Sequence, residues 1–174
     1  MNPLIQEAIS ITNDLGDVTF LGAVAVLLHT KSGRQSQDLD FAVATFISDE
    51  ILEEKRYFKH LENGKEIRRT PNGYKIDIYH DRPVNEIPIQ TILQNAIYLP
   101  ANKRIKVKVV SLEILILMKS RTRRDQDIED LIYISKQKSN SINWQELKVL
   151  TKSQIEYNDI KNTINTLKRV NEQM

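Results

Sequence analysis

Two stretches decide the fold: Val18-Thr19-Phe20-Leu21-Gly22-Ala23, then Arg34-Gln35-Ser36-Gln37-Asp38-Leu39-Asp40-Phe41-Ala42-Val43-Ala44. Val18 to Leu21 is a short apolar strand rich in β-preferring residues. Gly22 leads into an apolar helix from Ala23 to His29, and Lys31 to Ser36 reads as a polar loop. In the second stretch Leu39, Phe41 and Val43 alternate with Asp38, Asp40, Ala42 and Ala44. Side chains of a strand alternate between its faces, so the large apolar residues share one face and the two carboxylates the other.

Two aspartates at i and i+2 of one strand repel each other and raise each other's pKa. A hard divalent cation resolves that conflict, and Mg²⁺ is the usual occupant of an all-oxygen site. Ala42 and Ala44 leave room on the same face. Asp77 is a third carboxylate, alternating with Ile76 and Ile78 in a later strand. If the two strands are neighbours, Asp38, Asp40 and Asp77 meet on one face. That set suits two-metal phosphoryl transfer. Gly22, at a strand-to-helix junction, lets a phosphate approach free backbone N–H groups and the positive end of a helix. The plain alternative is that Asp38, Asp40 and Asp77 are solvated strand residues.

Around these stretches the pattern predicts an opening helix through Leu4, Ile5, Ala8, Ile9, Ile11 and Leu15. Ser48 with Asp49 and Glu50 starts a helix expected to reach about His60. Asn63-Gly64 and Asn72-Gly73 are turn signals that frame a hairpin, 65–70 with 74–80. A helix is expected from Pro83 or Pro88 through Ile97, ended by Pro100, then a strand over 105–109. Helices follow from Ser111 to Lys119 and from about Arg124 to Lys136, and the rest is helical from Ile142. In that last part Tyr157, Ile160, Ile164 and Leu167 form a stripe that packs on the body or makes a dimer seam. The order αβαβαββαβααα implies an α/β domain with a mixed sheet. The core is expected over residues 1–110, with a helical C-terminal region over 111–174 packed on it.

Taken together, the strand, Gly22, the helix and Asp38-Leu39-Asp40 resemble the nucleotidyltransferase superfamily, the DNA polymerase β-like fold. Closer resemblances are to the AbiEii-like toxin nucleotidyltransferases and the DUF6036-type nucleotidyltransferases, with aminoglycoside nucleotidyltransferases more distant. The resemblance covers roughly residues 18 to 135. It implies that Asp38 and Asp40 hold metal and that Asp77 completes the metal site and deprotonates an acceptor hydroxyl. It places Gly22, Ala23, Arg34, Ser36 and Lys119 at the nucleotide, with Arg34 and Ser36 matching Arg-X-[Thr/Ser] and Ala23 standing where the family has Gly or Ser. Leu112-Glu113-Ile114-Leu115-Ile116-Leu117-Met118-Lys119 looks like the families' Leu-Glu-X-Leu-X-X-X-Lys segment. Arg124, Asp127, Asp130 and Leu131 look like the run that follows it, although Asp127 and Asp130 equally suit pairing with Arg123 and Arg124 on a helix surface. The implied activity is Mg²⁺-dependent transfer of a nucleoside monophosphate from an NTP to a hydroxyl. The resemblance implies RNA such as a tRNA end as acceptor, in a toxin–antitoxin or phage-defence setting with an antitoxin or a second copy as partner, and leaves a protein hydroxyl or a small molecule as alternative acceptors. The alternative is an inactive module of the same fold that binds RNA or a protein.

Composition narrows the field further. With 174 residues the chain suits one domain of ordinary size. The absence of cysteine removes disulfides, thiol nucleophiles and zinc–thiolate sites, and fits a cytoplasmic setting. A net charge of +2 gives no global sign of nucleic-acid or membrane binding. The apolar run from Phe20 to Leu28 is about half of the ~20 residues a membrane helix needs, and the N-terminus lacks the pattern of a signal peptide. His29, His60 and His80 form no metal-binding motif, and no P-loop or G-x-S-x-G elbow is present. One basic stretch, Lys103, Arg104, Lys106, Lys108, Lys119, Arg121, Arg123 and Arg124, suits a nucleic-acid backbone if its members share a surface.

Overall fold

The computed structural model describes residues 1–173. Helix α1 (Pro3–Leu15) is capped by Asn2, whose Oδ1 accepts from the Leu4 N–H at 2.9 Å. Pro3 occupies the first turn, where its missing donor is no loss. Strand β1 (Val18–Phe20) runs through Leu21 into α2 (Gly22–Thr30), and β2 (Asp38–Val43) returns antiparallel beside β1 with Phe20 opposite Phe41. Then come α3 (Asp49–Glu54), β3 (Phe58–Glu62), β4 (Lys65–Arg69), β5 (Lys75–Tyr79), α4 (Ile89–Gln94), β6 (Ala96–Pro100) and β7 (Lys106–Val110). The chain ends in α5 (Leu112–Thr122), α6 (Asp125–Lys138), α7 (Trp144–Leu150) and α8 (Gln154–Gln173).

All seven strands form one sheet in the order β3-β4-β5-β2-β1-β7-β6. β2–β5 and β1–β7 are parallel, and the other pairings antiparallel, so the expected mixed-sheet α/β class is what the chain adopts. The alternating apolar residues of β2 lie where the pattern puts them: Leu39, Phe41 and Val43 are buried. Every residue of α5 from Leu112 to Ser120 is buried, which explains its unbroken apolar run. Among the described residues no helix is long and apolar enough to cross a membrane. On α8, Tyr157, Ile160 and Ile164 are buried and the helix packs along α6, so the stripe belongs to the body. Each such aliphatic side chain contributes roughly 1.5–3 kcal/mol.

Two strands replace expected helix. The helix from Asp49 stops at Glu54, because Arg56 turns left-handed at φ 67° and starts β3. Asn63 and Gly64, with φ 50° and 75°, then form a two-residue loop joining Glu62 to Lys65. The helix toward Ile97 ends at Gln94, where the side chain of Asn95 donates to the Thr91 carbonyl at 2.8 Å. Residues 96–100 pair with β7 instead. Pro100 ends that edge strand, where its lack of an N–H is harmless.

Candidate active site

Asp38, Asp40 and Asp77 do come to one face. β2 and β5 are adjacent and parallel, with Asp40 opposite Asp77 and Asp38 opposite Lys75. All three carboxylates line one cavity of about 390 Å³ with Gly22, Ala23, Arg34, Ser36 and Lys119, so every expected site residue borders the same space. Gly22 has φ 50°, and a Cβ placed on it would lie 2.8 Å from Asp40 Oδ2. Glycine is therefore what lets the helix start close over the Asp40 carboxylate. The neighbouring Leu21 N–H donates to the Asp40 carbonyl at 2.8 Å and ties the helix entry to β2. Ser36 Oγ accepts from the Asp38 N–H and donates to the Asp38 carbonyl, both at 3.2 Å, which fixes the approach to the first aspartate.

Burial, then the charges of Asp77 and Asp38, push the Asp40 pKa up to about 6. The half-exposed Asp77 carboxylate lies 3.1 Å from Lys75 Nζ. Among the described residues no three acidic or histidine side chains close around a single point. In kind the donors fit a hard cation, since they are oxygen-only and mutually repelling. In position the fit is partial: Asp38 and Asp40 flank each other on β2 while Lys75 occupies Asp77.

The opposite wall is cationic and anchored on α5 and α6. Lys119 Nζ lies 2.8 Å from Asp127 and 2.6 Å from Asp130, both 0% exposed. Arg124 Nε and Thr122 Oγ1 also donate to Asp127, each at 2.7 Å. Against the cost of burial, hydrogen bonds from Arg124, Lys119 and Thr122 hold the Asp127 carboxyl well below the usual carboxylate range. Arg34 Nε approaches Asp130 at 3.5 Å from the loop between α2 and β2. Asp127 and Asp130 thus lie inside the molecule and not on a helix surface, and Arg123 pairs with Asp159 instead. Lys119 borders the cavity with its ammonium already engaged.

No protein-family model matches the chain, and no curated protein matches it significantly. Solved structures do. JHP933 from Helicobacter pylori superposes with TM-score 0.53 at 13% identity, over 98% of this chain and 91% of that one. A solved structure of a provisionally assigned nucleotidyltransferase from H. pylori gives 0.54 at 13% identity over 98% and 94%. An antigenic nucleotidyltransferase-like protein from Paracoccidioides brasiliensis gives 0.51 at 17% identity over 97% and 87%. The fold is nucleotidyltransferase-like.

Within this nucleotidyltransferase-like fold the cavity has linings that the motifs did not reveal. Lys75 and Tyr79 flank Asp77 on the same strand face, where period two puts them, and both line the cavity. Val84, Asn85, Met118 and Gln126 also line it. The turn carrying Asn85 has φ 49° there and 62° at Glu86, with no glycine to mark it in the sequence. The basic stretch from Lys103 to Arg124 does not form one surface. Lys119 is buried, Arg121 pairs with Glu156 and Lys108 with Asp17, while Lys103 and Arg104 sit at the β6–β7 turn on the far edge of the sheet.

Proposed function

We propose that the chain is a Mg²⁺-dependent nucleotidyltransferase that moves a nucleoside monophosphate from an NTP to a hydroxyl acceptor. The supporting observation is the register of Asp40 with Asp77, beside Asp38 and beneath the Gly22 turn, in a cavity with a cationic far wall. In this reading Asp77 takes the proton of the acceptor hydroxyl as its oxygen bonds to the α-phosphorus. The bond from that phosphorus to the pyrophosphate oxygen breaks, and pyrophosphate leaves. The N–H groups at Gly22 and Ala23 and the hydroxyl of Ser36 hold the triphosphate, with charge support from Arg34 and the Lys119 cluster. Magnesium held by Asp38, Asp40 and Asp77 would neutralise charge on the phosphates. The resemblance to the AbiEii-like families makes RNA, such as a tRNA end, the first acceptor class to test, in a toxin–antitoxin setting.

A second reading, a non-catalytic module of the same fold, draws on the ion pair between Lys75 and Asp77 and on Ala23. Calorimetry with Mg²⁺ and each NTP, on wild type and on Asp38→Ala/Asp40→Ala, separates the two. The transferase reading expects metal-dependent NTP binding in wild type only, followed by radiolabel transfer from an α-labelled NTP. A folded wild type that binds no NTP in Mg²⁺ would sink it.

A further inference from the structure

The sheet has two outer edges, β3 and β6, and only one of them is guarded. Next to β6, the Ser111 N–H donates to the Asn95 carbonyl and the Ala101 N–H to the Ile105 carbonyl, so the odd-numbered residues there bond toward β7. Ala96, Tyr98 and Pro100 therefore turn their backbone groups outward. Pro100 has no N–H to offer, and its carbonyl already accepts from Lys31 Nζ at 3.3 Å. A proline and a lysine laid on an edge keep other chains from pairing with it.

Strand β3 carries no such guard. The two-residue loop Asn63-Gly64 makes Glu62 and Lys65 a hydrogen-bonded pair, so the even-numbered residues of β3 bond to β4. Lys59 and Leu61 turn their N–H and C=O groups outward, and these have no backbone partner among the described residues. Every residue of the strand is exposed, Leu61 at 78% and Phe58 at 48%. The one lysine on this strand is drawn back under the hairpin: Lys59 Nζ lies 2.7 Å from Asp49 and 3.1 Å from Glu66.

We propose that β3 pairs with β3 of a second copy of this chain, antiparallel about a two-fold axis at Leu61, to give one continuous sheet of fourteen strands. Three registers keep the outward groups in hydrogen-bonded pairs, and charge selects among them. Centred on Lys59, the strands oppose Lys59 to the partner's Lys59. Centred on His60, they oppose His60 to the partner's His60 and Phe58 to the partner's Glu62. Centred on Leu61, they set Leu61 against the partner's Leu61 and His60 against the partner's Glu62, an apolar pair flanked by two complementary ones. Phe58 lies opposite Arg69, and Arg69 opposite Lys75, so this face of β3 is also the face of Asp77. Directly opposed residues share a face, so both copies would present their carboxylates on the same side of the joint sheet. The two β5 strands would lie five strand spacings apart, roughly 24 Å. The pairing does not depend on the transferase reading.

The test follows the full chain by sedimentation equilibrium over a range of concentrations. Wild type is expected to form a weak dimer, since so short a ladder makes a small interface. Leu61→Lys sets two like charges opposite each other and is expected to weaken association roughly tenfold or more, with Tm unchanged because the side chain is exposed. Tyr98→Lys, on the guarded edge, should leave association as it is. The chain has no cysteine, so a single introduced thiol reports the register. Opposed Cα atoms about 5.5 Å apart are within disulfide reach, so Leu61→Cys should cross-link to a dimer on mild oxidation and Lys59→Cys should not. A wild type that stays monomeric at every concentration would overturn the proposal. So would association that survives Leu61→Lys, association lost in Tyr98→Lys, or cross-linking through Lys59→Cys in preference to Leu61→Cys.

Discussion

Gly22 is the residue on which the site's geometry turns. An alanine there must adopt a left-handed backbone, costing about 1–2 kcal/mol, and must displace the Asp40 carboxylate 2.8 Å from its Cβ. Gly22→Ala is expected to lower Tm by several degrees, at roughly 2–4 °C per kcal/mol for a domain of this size, and to weaken Mg²⁺ and NTP binding in calorimetry. Ala23 is a milder departure, since it keeps the N–H that a phosphate would use. Lys75 makes the opposite kind of change available. It sits on Asp77 at 3.1 Å, so Lys75→Met removes a fixed counter-ion and leaves the carboxylates to a diffusible one. Calorimetry should find tighter Mg²⁺ binding in that variant, and weaker binding would show that Lys75 orients Asp77 for the metal. The aspartates were legible from period two alone. Lys75 was legible on the same face by the same rule, but its ion pair with Asp77 was not, since only the packed side chains set that distance.

At the scale of elements, α5 and α6 are joined by charge as well as by packing. Lys119 is the shared partner of Asp127 and Asp130, both without solvent. Removing one member of a buried ion cluster leaves uncompensated charge and typically costs 3–5 kcal/mol. Lys119→Met is therefore expected to lower stability by about that much in urea titration, far more than loss of a phosphate contact alone would. A loss under 1 kcal/mol would mean that the ammonium is free to serve a ligand. Helix starts were readable because Ser48 and Ser111 are capping residues and do accept from Ile51 and Ile114. Helix ends were not. Arg56 adopts φ 67° without being glycine, and Asn95 closes α4 through its own side chain. Both segments then enter strands at the sheet's outer half, where exposed sequences such as Phe58-Lys59-His60-Leu61-Glu62 carry no burial pattern.

For the whole molecule, two large shifts of opposite sign shape stability against pH. Asp40 is raised from 3.8 to about 6, so its charged form opposes folding. As pH rises from about 4 to 6 the unfolded chain releases this proton first, and stability falls by roughly 3 kcal/mol. Asp127 is depressed, so its contribution is present above pH 4 and lost as pH falls below it. In a Tm profile without divalent ions the Asp40 and Asp127 contributions together peak near pH 4–5 and fall toward pH 6, while buried His29, whose pKa burial lowers, adds stability as pH rises toward 6.5. Asp40→Asn should remove the fall on the alkaline side while abolishing transfer, and Mg²⁺ should raise wild-type Tm chiefly above pH 6. An Asp40→Asn profile with the same slope as wild type between pH 4 and 6 would contradict the raised Asp40 pKa. The sheet class and the cavity's acidic wall came from local pattern. The cationic wall did not, because Lys119, Asp127 and Asp130 are near in sequence but on two helices, and only the packing of α5 on α6 turns them inward together.

The chain is made from residue 1 onward, so Asp38, Asp40 and Asp77 leave the ribosome before Lys119 and Arg124 exist. β1 lies between β2 and β7, and one of its edges stays bare until residue 110 has been added. A nascent chain thus carries a naked central strand and an acid trio with no opposing wall. It has every carboxylate proposed for the chemistry, with Gly22, Ala23, Arg34 and Ser36, but lacks the Lys119 and Arg124 side of the cavity. On the proposed reading, such a chain would gain its full cavity only when α5 and α6 pack against α2 and each other.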